Sequence, residues 1–302
     1  MMISVQELQD RLAGKLKPLL IHVLPPEHFA ARHLEGAVNI CSYETAFVPN
    51  VQQLVSDPGQ DIILYGEGEP SIDSADAAGK LAAVGYQNVI DFRGGLRAWE
   101  EAGLPIVSEG KFPEQPMLEG RFEVDCDSSL IRWTGRNLFS DHEGAMKFSG
   151  GTILLRDGVL VEGELMIDMT SIACGDLSEG SMNAALIQHL HSVDFFDVER
   201  HPTAKVVINT VIPFPGTHLG VPNYEISSTL TLRGFERPVV FPAVIAAADA
   251  DHVTAQAQVE FDRTKFGSHY GSARFFAYLG QHVVNDLIQL RLKIQTVRNV
   301  AG

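Results

Sequence analysis

Cysteine is scarce in this 302-residue sequence: Cys41, Cys126 and Cys174 stand far apart, with no C-x-x-C pair. So sparse and odd a count excludes a disulfide framework and a cysteine zinc site. Basic residues are also few, 23 Lys and Arg against 38 Asp and Glu, for a formal net charge of −15. The acids are spread along the chain rather than gathered in a tail. Non-specific binding to nucleic acid or an anionic membrane needs clustered positive charge, and this balance argues against it. Long apolar runs are missing as well. The longest, "VVFPAVIAAA" (239–248), is too short for a membrane span and is interrupted by Pro242. The opening "MMISVQELQDRLAGKLKPLL" has no basic start followed by an apolar stretch, so no signal peptide is expected, and the cytoplasm is the expected location.

What is present is a globular composition, 45% hydrophobic and 20% charged, with length enough for two cores. Residues 1–107 alternate strands and helices. "VQELQDRLAG" reads as an amphipathic helix stopped by Gly14, and "PLLIHVL" and "DIILYG" as strands apolar on both faces. "SIDSADAAGKLAAVG" reads as a helix with Ser or Asp capping it and Gly85 ending it; "NVIDF" and "LRAWEEAG" add a strand and a helix. Such alternation predicts a doubly wound α/β domain with a parallel sheet. Residues 108–117, polar and carrying two prolines, read as a linker.

From 118 to 302 the period changes to two. Nine strand-length runs follow: "GRFEVD", "SLIRWTG", "GTILLRD", "LVEGELMIDM", "AKVVINTVIPF", "YEISSTLTLRG", "PVVFPAVIAA", "VTAQAQVEFD" and "LIQLRLKIQTV". Nine strands over this length predict an antiparallel barrel or sandwich. One helical spacing interrupts them, Leu186 with His189 and Leu190.

Two segments of the first half, "PPEHFAARHLEGAVNI" (25–40) and "LAAVGYQNVIDFRGGLRAWEEAGLPI" (81–106), resemble the rhodanese family, in order and across essentially all of 1–107. In active members the loop after the central strand carries a cysteine that accepts sulfane sulfur, its thiolate stabilised by backbone N–H groups and a helix N-terminus. Here that position is Gly66, and the loop reads Gly66, Glu67, Gly68, Glu69, Pro70, Ser71. The usual Asp-Val-Arg of the preceding strand reads His22-Val23-Leu24. Glu67 and Glu69 would repel both thiosulfate and a developing thiolate. The expectation is a rhodanese-like domain without sulfurtransferase activity, kept for recognition or regulation, with a protein partner at the loop left open. His33 fills the structural histidine position of the family segment.

In the second half "LIQHLHSVDFFDVERHPTAKVVI" (186–208), "SSTLTLRGFERPVVFPA" (227–243), "VEFDRTKFG" (259–267) and "GELMIDMTSI" (163–172) resemble, in order, the signature of YceI-like domains. The resemblance implies a lipocalin-like antiparallel barrel around a long apolar amphiphile, an isoprenoid or fatty-acid-like chain. Strand alternation puts Ile131 with Trp133, Leu165 with Ile167 and Met169, and Leu230 with Leu232 on inward faces. Aromatics expected at the mouth are Phe195, Phe196, Phe266, Tyr270, Phe275, Phe276 and Tyr278. Arg136, Asn137, His142, Arg233 and Arg263 are candidates to meet a polar headgroup, and Asp262 is expected to pair with Arg263.

His189 and His191 lie two apart in a helix, about 200° around the axis, and complete no metal site. Neither a metal nor a cofactor is expected, and nothing resembles a catalytic triad. The leading expectation is a non-catalytic carrier of an apolar small molecule. Two alternatives stay open: a sulfurtransferase using Cys41, Cys126 or Cys174, and a protein-interaction scaffold whose barrel is filled. A homodimer is also left open.

Overall fold

The computed structural model describes residues 1–111, 117–178, 180–218 and 220–299, so half of the expected linker, 112–116, lies outside the described residues. Contacts divide the chain into two units, Met1–Glu114 and Gln115–Gly302.

The first unit runs α1 (Val5–Ala13), β1 (Leu19–His22), α2 (Pro26–Ala31), β2 (Val38–Asn39), α3 (Phe47–Leu54), β3 (Ile62–Tyr65), α4 (Asp73–Ala83), β4 (Val89–Asp91), α5 (Gly95–Glu101). Its strands are all parallel, in the order β2-β1-β3-β4. Side chains alternate across a strand, so β3 serves two cores. Ile62 and Leu64 pack with Phe47, Val51, Ala77 and Leu81 from α3 and α4. Ile63 and Tyr65 pack with Leu8, Leu96 and Trp99 from α1 and α5. That is why "IILY" reads apolar throughout: all four residues are buried.

Helix α1 begins with a capping box, Ser4 Oγ accepting from the Glu7 amide while Glu7 Oε2 accepts from the Ser4 amide. The expected Ser or Asp cap on α4 is absent. Ile72 holds the cap position, and Ser71 Oγ donates to Asp73 Oδ2 instead. Helix α3 escaped the sequence reading; Pro49 sits in its first turn, where a missing N–H costs nothing.

The second unit contains β5 (Gly120–Val124), β6 (Leu130–Arg136), β7 (Asp141–Arg156), β8 (Val159–Cys174), α6 (Ser181–His191), β9 (Thr203–Pro213), β10 (Tyr224–Leu232), β11 (Phe235–Ala247), β12 (His252–Asp262) and β13 (Leu287–Arg298). Neighbours pair antiparallel in sequence order from β7 to β13. Strands β5 and β6 share one position in the ring, each pairing with both β7 and β13. The result is a closed eight-position antiparallel barrel.

All nine runs read from the sequence are strands, but β7 is far longer than "GTILLRD". Its first half, "DHEGAMKFSG", carries Gly144 and Gly150, which suppress the strand signal. Gly144 is required there. A Cβ at that position would lie 1.8 Å from the Ala173 carbonyl and 2.6 Å from Trp133 Cζ2. The indole of Trp133 covers this glycine and donates from Nε1 to Ala173 O at 3.1 Å.

Candidate ligand cavity and the degenerate rhodanese loop

Inside the barrel the inward side chains form two clusters, one toward α6 and one toward the opposite end. The first surrounds a cavity of about 210 Å³. Its wall comes from alternate residues of successive strands: Ile167 and Met169 of β8, Leu230 and Leu232 of β10, Ile288 and Leu290 of β13, with Trp133, Met146, Ala204 and Phe261. Helix α6 contributes Leu186, His189 and Leu190, the trio whose spacing marked the helix. Phe195, Phe196, Tyr270 and Val284 complete the α6 end.

Polar groups gather at that end only. Arg136, Asn137, His142, His189 and Tyr270 line it. Arg136 donates to Gln289 Oε1 at 2.7 Å. Asn137 spends its side chain on its own turn: Oδ1 accepts from the Phe139 and Ser140 amides, and Nδ2 donates to Ser140 Oγ. His142 Nδ1 meets Asp176 Oδ2 at 2.8 Å. Burial works against the Asp176 charge, but hydrogen bonds from His142, the Glu143 amide and Cys174 outweigh it and hold the carboxyl down at about 2. His189 stands 3.3 Å from Asp194 Oδ2 and edge-on to Phe195 and Tyr270, so its ring serves as part of the wall.

Several expected site residues sit elsewhere. Ile131 and Phe266 are buried without lining the cavity; Phe266 packs edge-on against Phe261, which does line it. Leu165 lines a second, deeper void of about 50 Å³. Phe275, Phe276 and Tyr278 are exposed, Phe275 lying on His269, because the segment after β12 turns them away from the barrel axis. Arg233 donates to the carbonyls of Gly267 and Val193. Arg263 is fully buried, donating to the carbonyls of Asn285, Ser268 and Val284. Both arginines therefore tie loops together instead of lining the cavity. Asp262 pairs with Arg274 at 3.0 Å, while Arg263 has Asp286 at 3.8 Å, against the expected Asp262–Arg263 pair. The sequence reading missed Met146, Ile172, Ala204, Leu290 and Val284. For Ile172 the signal was misleading, because an irregularity in the β7–β8 ladder breaks the alternation that Leu165, Ile167 and Met169 follow.

In the first unit the loop from Gly66 to Ile72 joins β3 to α4. A Cβ placed on Gly66 would lie 3.1 Å from Asp73 Oδ2 and 3.3 Å from Asp73 Cβ. Asp73 fills the position into which a side chain at 66 would project. Its carboxylate accepts from Ser71 Oγ and from Tyr43 Oη, both at 2.5 Å. Burial and the nearby Asp73 charge push the Tyr43 phenol up. Gly94 and Gly95 press on the loop from the other side: a Cβ on Gly95, which has φ +58°, would meet Gly66 O and Gly68 N at 2.5 Å. Glu67, expected as a free repulsive charge, is paired with Arg32, which also holds Glu100 at 2.8 Å. Arg97 donates to the Glu69 carbonyl.

Of the three cysteines, Cys41 is buried just after β2, Cys126 lies between β5 and β6, and Cys174 ends β8. Burial raises the thiol pKa of both Cys126 and Cys174.

The YceI-like domain family matches residues 122–296, more than half of the chain, and the rhodanese-like domain family matches residues 4–102. Among curated proteins, the adenylyltransferase and sulfurtransferase UBA4 of Candida albicans is 33% identical over 102 residues, covering 33% of this chain and 23% of that one. A sulfurtransferase of Allochromatium vinosum is 28% identical over 107 residues, covering 35% of this chain and 94% of that one. The chain spans 23%, 50% and 52% of the lengths of three of the curated relatives it matches. Among solved structures, BcnA of Burkholderia cenocepacia is similar at a TM-score of 0.46 and 20% identity, covering 57% of this chain and 98% of that one. A polyisoprenoid binding domain from Saccharophagus degradans is similar at 0.45 and 12% identity, covering 60% and 99%. With its barrel matched along nearly its whole length, the chain belongs to the YceI-like family, and it carries that domain behind a rhodanese-like one.

Proposed function

We propose that the barrel binds an apolar amphiphile, its tail in the 210 Å³ cavity and its polar end against Arg136 and His142. The observation that carries this reading is the one-sidedness of the lining: apolar along the wall, with every polar contributor at the α6 end. A site that is mostly apolar with a few convergent polar groups is the usual form of a small-molecule pocket. The rhodanese-like domain, on this reading, transfers no sulfur at position 66 and acts in recognition or regulation. Support comes from the Asp73 carboxylate beside Gly66, since a neighbouring negative charge disfavours a thiolate.

Trp133 lines the cavity, and the other tryptophan, Trp99, lies in the first unit, so Trp99→Phe protein gives an emission signal specific to the cavity. Decanol is expected to change that emission saturably, and native mass spectrometry with organic extraction to find an apolar molecule carried through purification. A flat titration together with an empty extract would overturn the reading.

A further inference from the structure

The cavity does not run the length of the barrel. On β12, Phe261 lines the upper cavity and Ala257 the lower void of about 50 Å³, while Val259 between them lines neither. On β7 the same succession is Met146 above, Phe148 in neither and Ile153 below. Phe148 and Val259 are nonetheless buried, 3% and 7% exposed, and belong to the upper core cluster. They form a packed floor. On β8, β9 and β13 the handover is immediate, from Ile167 to Leu165, Ala204 to Val206 and Leu290 to Leu292, so the floor is thinnest along those strands.

We infer that this floor sets a limit on chain length, and that the barrel selects short amphiphiles over long ones. The inference rests on the reading above that the cavity holds an apolar chain. An apolar cavity of about 150 Å³ holds benzene, which scales to about eight carbon atoms for 210 Å³. The cavity is also smaller than the ~300–1,000 Å³ of common ligand sites. A longer chain must either leave its end outside, in water, or displace Phe148.

The test is a series of straight-chain primary alcohols, hexanol to hexadecanol, titrated against full-length Trp99→Phe protein by Trp133 emission. Affinity is expected to rise about fourfold per methylene while each added carbon is buried, then to stop rising near octanol. Phe148→Val, which lowers the floor, is expected to move that break to longer alcohols. Ala204→Leu, which raises it, is expected to move the break to shorter ones. Circular dichroism melts establish that each variant is folded, and because the two act in opposite directions either alone decides. Affinity climbing unbroken to hexadecanol, or a break that stays put in a folded variant, would overturn the inference while leaving the ligand reading intact. Absence of saturable binding by every alcohol overturns both.

Discussion

Restoring a cysteine at position 66 would place its Cβ 3.1 Å from Asp73 Oδ2, inside the range at which a carboxylate raises a thiol pKa. Gly66→Cys protein is therefore expected to remain at background in a thiosulfate–cyanide assay. Gly66→Cys combined with Asp73→Ser should rise at least tenfold above it, with the pH dependence of iodoacetamide alkylation moving to lower pH. Turnover by the single variant would show that Asp73 gives way. The missing thiol was legible in the sequence, but its replacement was not. Asp73 reads there as one of several helix-capping candidates, and only the folded loop brings it, with Tyr43 and Ser71, onto the glycine. The cavity divides in the same way. Trp133, Ile167, Met169, Leu230 and Leu232 were legible because strand alternation fixes their direction. Tyr270 was named only as one of several mouth aromatics, and Val284 not at all, because they reach the cavity from an irregular segment with no period to read.

Strand β7 shows how an element can be hidden by the contact that defines it. Its glycines suppress the strand signal, yet at Gly144 the bare backbone is what lets Trp133 lie flat and reach Ala173 O. Gly144→Ala is expected to cost about 3 kcal/mol or more, since a backbone carbonyl at 1.8 Å cannot yield to a methyl group and the indole at 2.6 Å is tied to that same carbonyl. Urea denaturation followed at Trp133 checks this, and a loss below about 1 kcal/mol would mean that the β6–β7–β8 wall repacks easily. The other strands needed no such contact to be recognised. Their alternation, set off in many places by Gly, Asp or Pro, carried the all-β assignment, just as the uninterrupted "IILY" carried the parallel sheet.

Across the whole molecule, each unit holds one tryptophan, so each can be followed by itself. His22 is fully buried at the end of β1, with Nε2 lacking a hydrogen-bond partner among the described residues. Burial, reinforced by the neighbouring His33 and His28, lowers its pKa to about 4 from about 6.5. The unfolded chain takes up the proton first as pH falls, so the neutral folded state loses stability from about pH 6.5 down to about pH 4 and no further. The full window is worth about 3 kcal/mol. Urea midpoints read at Trp99 in Trp133→Phe protein are expected to fall across that window, and His22→Gln to flatten the slope. A pH-independent midpoint would contradict the assignment. In the barrel, the Asp176 carboxyl, held at about 2, loses its contribution only below about pH 4, so acid should weaken the first unit before the second.

The ring closure between β12 and β13 has a consequence for self-association. Every strand of the barrel has two partners, but β11 meets β12 only over Ala243–Ala247, so Phe235–Pro242 is laddered on the β10 side alone, and Pro238 and Pro242 blunt that stretch as a template for a second chain. In the first unit one edge strand, β2, is only two residues long. The other, β4, is overlaid by the start of the chain, Met2 bridging Asp91 while the Asp91 amide donates to the Met1 carbonyl. In the first unit, strand addition would therefore require the Met1–Met2 seam to open first, and trimming Met1 and Met2 is the change that would bare β4.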